Sequence, residues 1–207
     1  MRRKEFEITD EKEISELLHF AGYAILGLID PDGDPYTVPL NFAYLNGSIY
    51  FHCAAARNDM KIKCISLNDR ASLSVIQEFS FIPSYFSDSM MACNAGQFFK
   101  SIFMKGNISV VNDKKEVVIA LEALMQKYQP ESGYEPISET HPEYRKELNA
   151  TNVLKFFPDT ITAKFKFGQN LKDEDFQKRL ASLEARGNPI DLDTIRMMKR
   201  YRNYKNI

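Results

Sequence analysis

Hydrophobic and polar positions follow a helical period at the start of the chain and then change to the alternation of strands. Apolar residues at 14, 17, 18 and 21 mark one face of a helix that Thr9 or Asp10 caps. Gly22 ends this helix. Short apolar or alternating runs separated by turn residues then predict three strands, over 23–29, 36–44 and 48–54.

Two strong turn signals join these strands. Residues 30–35 read Asp-Pro-Asp-Gly-Asp-Pro, and Asn46-Gly47 is the dipeptide that a tight hairpin favours. Three strands joined so closely predict an antiparallel meander rather than a β-α-β unit. The sequence also contains no Gly-x-Gly-x-x-Gly or Walker sequence, so the pattern argues against a Rossmann fold.

The rest of the chain continues the mixture of helices and strands. The predicted helices cover 57–67, 113–128, 171–186 and 191–204, and the predicted strands cover 70–78, 99–111, 152–156 and 160–167. Residues 79–98 are loop-like and long enough to carry function, and 129–141 form a surface excursion. Gly106 marks an expected bulge. Six or seven strands with helices between and after them predict a mainly β, α+β fold built on an antiparallel barrel that hides its edges.

Composition excludes several classes of protein. Hydrophobic residues make up 44% of the 207 positions and charged residues 27%, as in globular domains rather than disordered chains. A net charge of −1 gives no electrostatic basis for binding nucleic acid, and no apolar run is long enough to cross a membrane. The first residues lack the apolar core of a signal peptide, so we expect a cytoplasmic protein. Three scattered cysteines and three scattered histidines predict neither disulfides nor a metal site.

Several local motifs stand in a characteristic order. The capped first helix is followed by Tyr36-Thr37-Val38-Pro39-Leu40-Asn41-Phe42, by the strand that contains His52 and by Lys61. Asn68-Asp69-Arg70 comes next, and Lys100-Ser101-Ile102-Phe103-Met104-Lys105-Gly106 precedes the helix that carries Lys127-Tyr128. No single motif is specific. Their succession over residues 1–165 resembles the pyridoxamine 5′-phosphate oxidase-related proteins, the FMN-binding split-barrel family, and within them the nitroimidazole-resistance-protein-like branch.

The resemblance implies a six- to seven-stranded split β-barrel that binds FMN at the interface of a homodimer. The strand beside the flavin matches this chain's 37–41, and Lys61 with help from Arg57 matches the phosphate-binding position. Lys100 and Ser101 match positions near the phosphate or the ribityl chain. His52 matches a histidine close to the flavin, where an imidazole can transfer a proton to a substrate. The implied cofactor-binding residues are Thr37, Val38, Pro39, Leu40, Asn41, His52, Arg57, Lys61, Lys100 and Ser101, with His52 as the catalytic residue.

The sequence departs from the family pattern at two places. Relatives often carry a glycine shortly before the lysine, whereas this chain has Asn58-Asp59-Met60-Lys61, which puts an anion beside the expected phosphate site. Relatives often carry a tryptophan before the fifth strand, and this chain contains none, so Phe98 or Phe99 stands in its place. An interior proline cannot donate a ladder hydrogen bond, so the strand with Pro39 is expected to be irregular or at a sheet edge.

The function that the resemblance implies is an FMN-dependent oxidoreductase acting on a small organic substrate. Reduction of nitroimidazoles or other nitro-aromatics follows from the branch alone. The alternatives are a non-catalytic FMN-binding or redox-sensing module and a haem-degrading relative on the same barrel, since a fold does not fix a function. We expect residues 1–167 to form the FMN-binding domain and 168–207 a helical extension packed on it. The sequence identifies neither the substrate nor the electron donor.

Overall fold

The computed structural model describes residues 3–56, 58–87, 89 and 91–204. Within this part of the chain it contains eight strands and six α-helices. The strands are β1 (Glu7–Ile8), β2 (Ala24–Ile29), β3 (Pro35–Leu40), β4 (Ala43–Leu45), β5 (Ser48–Ala54), β6 (Arg70–Ile82), β7 (Gly96–Val110) and β8 (Thr151–Lys166). The helices are α1 (Glu11–Phe20), α2 (Met60–Leu67), α3 (Lys114–Tyr128), α4 (Pro142–Asn149), α5 (Asp173–Arg186) and α6 (Pro189–Tyr201).

The described strands form one sheet in the order β3-β2-β6-β7-β8-β5-β4, with β1 added alongside β8. The β2–β3, β2–β6, β4–β5, β5–β8 and β1–β8 pairs are antiparallel, so the predicted α+β fold with an antiparallel sheet is confirmed. The chain divides into two compact units. The first unit combines the chain up to Ile14 with Ile76–Ile102 and the chain from Thr162, and the second unit combines Ser15–Val75 with Phe103–Ile161.

The hairpin of β2 and β3 lies in the second unit and follows the predicted turn chemistry. The Asp30 side chain accepts hydrogen bonds from the backbone N–H groups of Asp32 and Asp34, each at 2.9 Å. Gly33 adopts a φ of 90°, which favours glycine. Strand β3 pairs with β2 and ends the sheet order, so the prediction that Pro39 lies on an edge strand is confirmed.

The single strand predicted over 36–44 is wrong, because the structure divides it into β3 and β4. The break falls at Asn41 and Phe42, where the Tyr128 hydroxyl accepts a hydrogen bond from the Phe42 N–H at 3.0 Å and donates to the Gly22 carbonyl at 2.7 Å. Strand β4 then turns into β5 through Asn46-Gly47, both with positive φ. The Tyr128 hydroxyl thus forms hydrogen bonds with the backbone where the β3 ladder ends.

Helix α3 covers one face of β5 and β8 in the second unit. The Asp113 side chain caps the helix by accepting the Lys115 N–H at 3.0 Å. Ala120 on the helix is buried together with Tyr50 of β5 and Val153 of β8. This small apolar cluster fixes the helix against the sheet.

Aromatic rings and the two last helices build the core of the first unit. The rings of Phe167 and Tyr201 stack with their centroids 5.4 Å apart. The ring of Phe79 packs edge-to-face against that of Phe167, with 4.9 Å between the centroids. Gly187 adopts a left-handed φ of 68° at the end of α5, and Asn188 begins α6 with a capping box. The two predicted C-terminal helices are confirmed.

Other boundaries differ from the prediction. The expected loop over 79–98 is shorter, because β6 extends to Ile82 and β7 begins at Gly96. The strands predicted over 152–156 and 160–167 form one strand, β8, that continues through Pro158. Strand β1 and helix α4 were not predicted, since two residues carry no period and α4 is short, largely polar and without a fully buried residue.

Candidate functional site

The edge strand β3 borders an open groove in the second unit. The groove has a volume of about 340 Å³, and the side chains of Pro35 and Thr37 line its β3 side. Exposed and partly buried residues alternate along β3, so Thr37 and Pro39 face solvent while Val38 and Leu40 face inward. Asn41 follows the strand, is exposed, and donates to the Gly22 carbonyl at 3.2 Å.

The floor of this groove is open because Gly27 carries no side chain. Gly27 lies opposite Thr37 on one side and Ser72 on the other. A Cβ at Gly27 would lie 2.6 Å from the Ser72 hydroxyl, so any larger residue would displace that hydroxyl. Glycine and serine together therefore leave the sheet face flat beside Thr37.

Two cations line the groove, Arg70 and Lys105. Both stand in the motifs that carry the family resemblance, but neither was predicted to have a role in the site. The Arg70 guanidinium is bound to the Asp159 carboxylate at 2.5 Å and to the Asn107 side chain at 2.7 Å. The hydrogen bond to Asp159 raises the pKa of Arg70, and the same bond lowers the pKa of Asp159. The ion pair therefore fixes the Arg70 guanidinium at this end of the groove and compensates much of its charge.

Lys61 stands in the first turn of α2 and is already paired. Asp59 caps the helix by accepting the Lys61 N–H, and its second oxygen accepts from the Lys61 amine, both at 2.9 Å. Each side chain is only 13% exposed. Desolvation opposes the charge of Lys61, but the hydrogen bond and charge of Asp59 outweigh it and raise the pKa of the amine. An anion at this position must therefore share Lys61 with Asp59.

Cys53 and Tyr36 lie near the same pair. Burial raises the pKa of the Cys53 thiol and the charge of Asp59 raises it further, while the charge of Lys61 opposes both. Tyr36 also contributes to the electrostatic environment of Lys61. The structure thus gathers Tyr36, Cys53, Asp59 and Lys61 around the start of α2.

His52 is on the other face of β5. Neighbouring strand residues point to opposite faces, and Cys53 is buried whereas His52 is exposed. His52 lies opposite Val153 of β8, on the face that carries Tyr50 and α3. The structure therefore does not group His52 with Lys61, and Arg57, the other expected phosphate ligand, lies outside the described residues.

Lys100 and Ser101 also point to opposite faces, in the first unit. Lys100 is 3% exposed, with its amine 5.0 Å from the centre of the Phe165 ring and 5.4 Å from that of Tyr201. Ser101 faces a second open groove of about 490 Å³, which Glu78, Gln97 and Phe99 also line. Of this pair, only Ser101 faces an open groove.

A match to a protein-family model identifies the family of this chain. The family model described as pyridoxamine 5′-phosphate oxidase matches residues 10–165. The chain belongs to this family. No curated protein matches the sequence. Within the described residues, no helix is long and apolar enough to cross a membrane, and no group of three or more metal-ligating side chains is gathered.

Solved structures share the fold of this pyridoxamine 5′-phosphate oxidase family member at low sequence identity. A candidate 5-nitroimidazole antibiotic resistance protein from Bacteroides thetaiotaomicron is 22% identical with a TM-score of 0.62, over 76% of this chain and 85% of that one. The flavocytochrome Anf3 from Azotobacter vinelandii is 18% identical with a TM-score of 0.65, over 83% and 75%. The FAD and heme binding protein from Mycobacterium smegmatis is 20% identical with a TM-score of 0.64, over 83% and 78%. These likenesses establish the split-barrel fold.

Proposed function

We propose that this chain binds FMN as a homodimer and acts as an oxidoreductase on a small organic substrate. The observation that carries the proposal is the family match over residues 10–165, which includes the edge strand β3 and helix α2. Two of the similar structures are named for a flavin or a flavocytochrome, and a third for nitroimidazole resistance, which supports flavin chemistry and a nitro-aromatic substrate. FMN would supply the electron transfer, while the protein supplies position and access.

The residues of β3 fit the ring of a flavin. The strand is at the sheet edge, so alternate N–H and C=O groups point away from β2 and can bind the polar edge of the ring. Thr37 adds a hydroxyl, and the bare backbone at Gly27 lets a planar group lie close to the sheet. Lys105 offers this groove a positive charge that suits the electron-rich end of a reduced flavin, whereas Arg70 shares its charge with Asp159.

The phosphate end is assigned to Lys61 at the N-terminus of α2. Backbone N–H groups and the helix dipole favour an anion there, and Lys61 adds a charge. Asp59 works against this role because it already holds the amine. We therefore expect a weaker phosphate site than a glycine in place of Asp59 would give, with Arg57 as the second cation.

The family resemblance assigns the proton to the substrate to an imidazole nitrogen of His52, whose side chain is exposed on β5. Ser101 would contact the ribityl chain through its hydroxyl, and the role expected for Lys100 is electrostatic at most, since its amine is buried over aromatic rings. The cytoplasmic location stays a prediction.

The homodimer is supported by apolar side chains left on the open face of the second unit. Ile25 is 36% exposed, Ile29 40% and Phe103 40%. Burial of such residues against a second copy is favourable at about 25 cal/mol per Å² of apolar surface. A sheet face that binds a cofactor and a partner copy together would explain why these residues are not polar.

Spectroscopy of the purified protein tests the proposal. Flavin absorbance bands are expected, and chromatography of the heat-released chromophore is expected to identify FMN. Lys61→Gln should lower FMN affinity about tenfold, as loss of one charged hydrogen bond does. Lys63→Gln is the matched control, because Lys63 is exposed on the same helix. Released FAD would correct the cofactor, and a protein that binds no flavin at all would refute the proposal.

Turnover separates the oxidoreductase from the non-catalytic alternative. The FMN-loaded protein should reduce a nitro-aromatic acceptor with a reduced nicotinamide donor. His52→Gln should lower kcat, since His52 is assigned to the proton transfer, and it should weaken FMN binding less than Lys61→Gln does. Bound flavin that no donor reduces would favour the redox-sensing module instead. A haem absorbance band would favour the haem-binding alternative.

A further inference from the structure

A cleft with a strongly positive lining lies in the first unit, separate from the residues assigned to FMN. Its volume is about 540 Å³. Arg3, Lys164, Lys166 and Arg179 line it, and the described residues of its wall include no carboxylate. Four positive charges gathered in one cleft attract anions over a distance of several ångströms.

Three of the four cations, Arg3, Lys164 and Lys166, lie over aromatic rings. The Lys164 amine lies 5.9 Å from the centre of the Phe6 ring and 5.5 Å from that of Phe99. The Lys166 amine lies 6.0 Å from the centre of Phe98. Such contacts orient an ammonium group but leave its charge uncompensated.

The cations that line the cleft repel one another, and this repulsion affects the pKa of Lys166. Desolvation lowers the pKa of Lys166, and the charges of Lys164, Arg3 and Arg179 lower it further. Desolvation also lowers the pKa of Arg179, and the charge of Asp175, one turn earlier on α5, opposes this shift. Glu7 is paired opposite Lys164 in β1 but does not line the cleft. A bound anion would relieve this repulsion.

The backbone beside the cations is shaped to leave space. Gly96, the first residue of β7, lies beside the Lys166 amine, and a Cβ there would come within 3.0 Å of the nitrogen. Asn170 adds a side-chain amide to the wall, whereas the Asn94 amide nitrogen already donates to the Ser87 hydroxyl and the Ser89 carbonyl. The cleft thus combines cations, the Asn170 amide and the ring of Phe99.

We propose that this cleft binds an organic phosphate of about nucleotide size, with the phosphate at Lys164, Lys166 and Arg179 and the organic part against Phe99. Arginine and lysine together suit phosphate oxygens, because the guanidinium offers paired donors and the ammonium a point charge. The volume is that of a site for a whole small molecule rather than for a bare ion. None of the residues assigned to FMN lines this cleft, so it constitutes a second site.

Calorimetric titration with adenosine 5′-monophosphate tests the proposal, in the presence of saturating FMN and at low ionic strength. Adenosine 5′-monophosphate should bind at least tenfold more tightly than adenosine or inorganic phosphate, and added salt should weaken it. Lys166→Gln should weaken the binding about tenfold, as should Arg179→Gln, which keeps the test valid if one variant folds poorly. Lys199→Gln, which removes an exposed lysine of α6 in the same unit, should bind like the wild type.

Cys93 gives a second readout at the same cleft. It lines the wall and is exposed, whereas Cys53 and Cys64 are buried. Its thiolate should attack the disulfide of 5,5′-dithiobis(2-nitrobenzoate), forming a mixed disulfide and releasing one thionitrobenzoate. Adenosine 5′-monophosphate should slow this reaction several-fold in the wild type and in Lys199→Gln, but much less in Lys166→Gln.

Three results would overturn the proposal. The first is an affinity for adenosine 5′-monophosphate no greater than that for adenosine or inorganic phosphate. The second is equal affinity in Lys166→Gln, Arg179→Gln and Lys199→Gln. The third is loss of nucleotide binding in direct competition with FMN, which would mean that the two ligands share one site.

Discussion

Gly106 of β7 lies directly against the backbone of Phe157 in β8. A Cβ added to Gly106 would come within 2.8 Å of the Phe157 carbonyl carbon and of the Pro158 Cα. Backbone atoms cannot give way as the end of a side chain can. The glycine therefore lets β8 continue through a proline, a residue that strands tolerate only at edges or irregular positions.

Gly106→Ala should lower the free energy of unfolding by about 1–3 kcal/mol, because the methyl group forces the two strands apart. Urea denaturation at neutral pH measures the loss. Gly22→Ala is the control, since no atom outside its neighbours lies within 4 Å of its added Cβ, and it should change the stability by less than about 0.5 kcal/mol. Equal stabilities of the two variants would show that β7 and β8 move apart at no cost.

Local chemistry predicts some of these features and long-range pairing decides others. Asn46-Gly47 forms the predicted hairpin and Pro39 lies on an edge, since each depends on the backbone of its own residues. The break after β3 was missed because the Phe42 N–H donates to the hydroxyl of Tyr128, a residue 86 positions away in the sequence. No period within 36–44 can encode a hydrogen bond from another helix.

The same distinction applies to the sites. The conflict between Lys61 and Asp59 was visible in the sequence, because a capping carboxylate two residues earlier reaches the amine. The cationic cleft was not visible. Lys164 and Lys166 alternate with buried residues of β8, a pattern that also fits a solvated strand face. Only folding brings Arg179 of α5 beside them.

Asp191 anchors α6 in the first unit through a buried charge. The carboxylate accepts from the Arg186 Nε at 2.9 Å, the Ser80 hydroxyl at 2.6 Å and the Asn188 N–H at 3.0 Å. The Arg186 bond, with that of Ser80, lowers its pKa from 3.8 to about 2. This contribution to stability is present above pH 3.8 and is lost as the pH falls towards 2.

Asp191→Asn should lower the free energy of unfolding by about 2–3 kcal/mol at neutral pH. The substitution leaves Arg186 without its counter-charge and places an amide donor where a buried carboxylate oxygen accepted hydrogen bonds. Thermal or urea unfolding measures this cost. Asp193→Asn should have little effect, since Asp193 is exposed on the same helix and its pairing with Arg196 is solvated. If both variants lost the same stability, the helix rather than the buried charge would be responsible.

Glu116 joins Tyr50 and Lys155 in the second unit. Its Oε1 accepts from the Lys155 amine and from the Tyr50 hydroxyl, each at 2.8 Å. The Lys155 bond first, and then the Tyr50 bond, lower the pKa of Glu116 below its usual 4.5. The lowered pKa stabilises the fold above pH 4.5, and the effect is lost as the pH falls further.

Glu116→Gln should therefore cost no more than about 1 kcal/mol near pH 7, since a third of each charged side chain is exposed to solvent. The cost should shrink as the pH falls below 4.5. Stability curves against pH for this variant, the wild type and the exposed-residue control Glu143→Gln measure it. A difference that stays constant with pH would mean that packing, and not the charge, accounts for the loss.

Lys127 buries an amine between α1 and α3 in the second unit. The nitrogen donates to the Leu18 carbonyl at 3.0 Å and lies 3.4 Å from the centre of the Phe42 ring. Both contacts favour the charged amine, but desolvation opposes them and lowers its pKa from 10.5 to about 8. The folded protein thus releases this proton more readily than the unfolded chain.

Stability should consequently rise with pH between about 8 and 10.5, because the unfolded chain binds the extra proton in that window. The gain is on the order of 3 kcal/mol, because the two pKa values differ by about 2.5 units. Other groups also titrate in this range, so the wild type is compared with Lys127→Met at each pH. The free energy of unfolding of the wild type should increase relative to that of Lys127→Met as the pH rises. Lys114→Met removes an exposed amine from the same helix and should run parallel to the wild type. Parallel curves for Lys127→Met would mean that the amine keeps its charge when buried, held by Phe42 and Leu18.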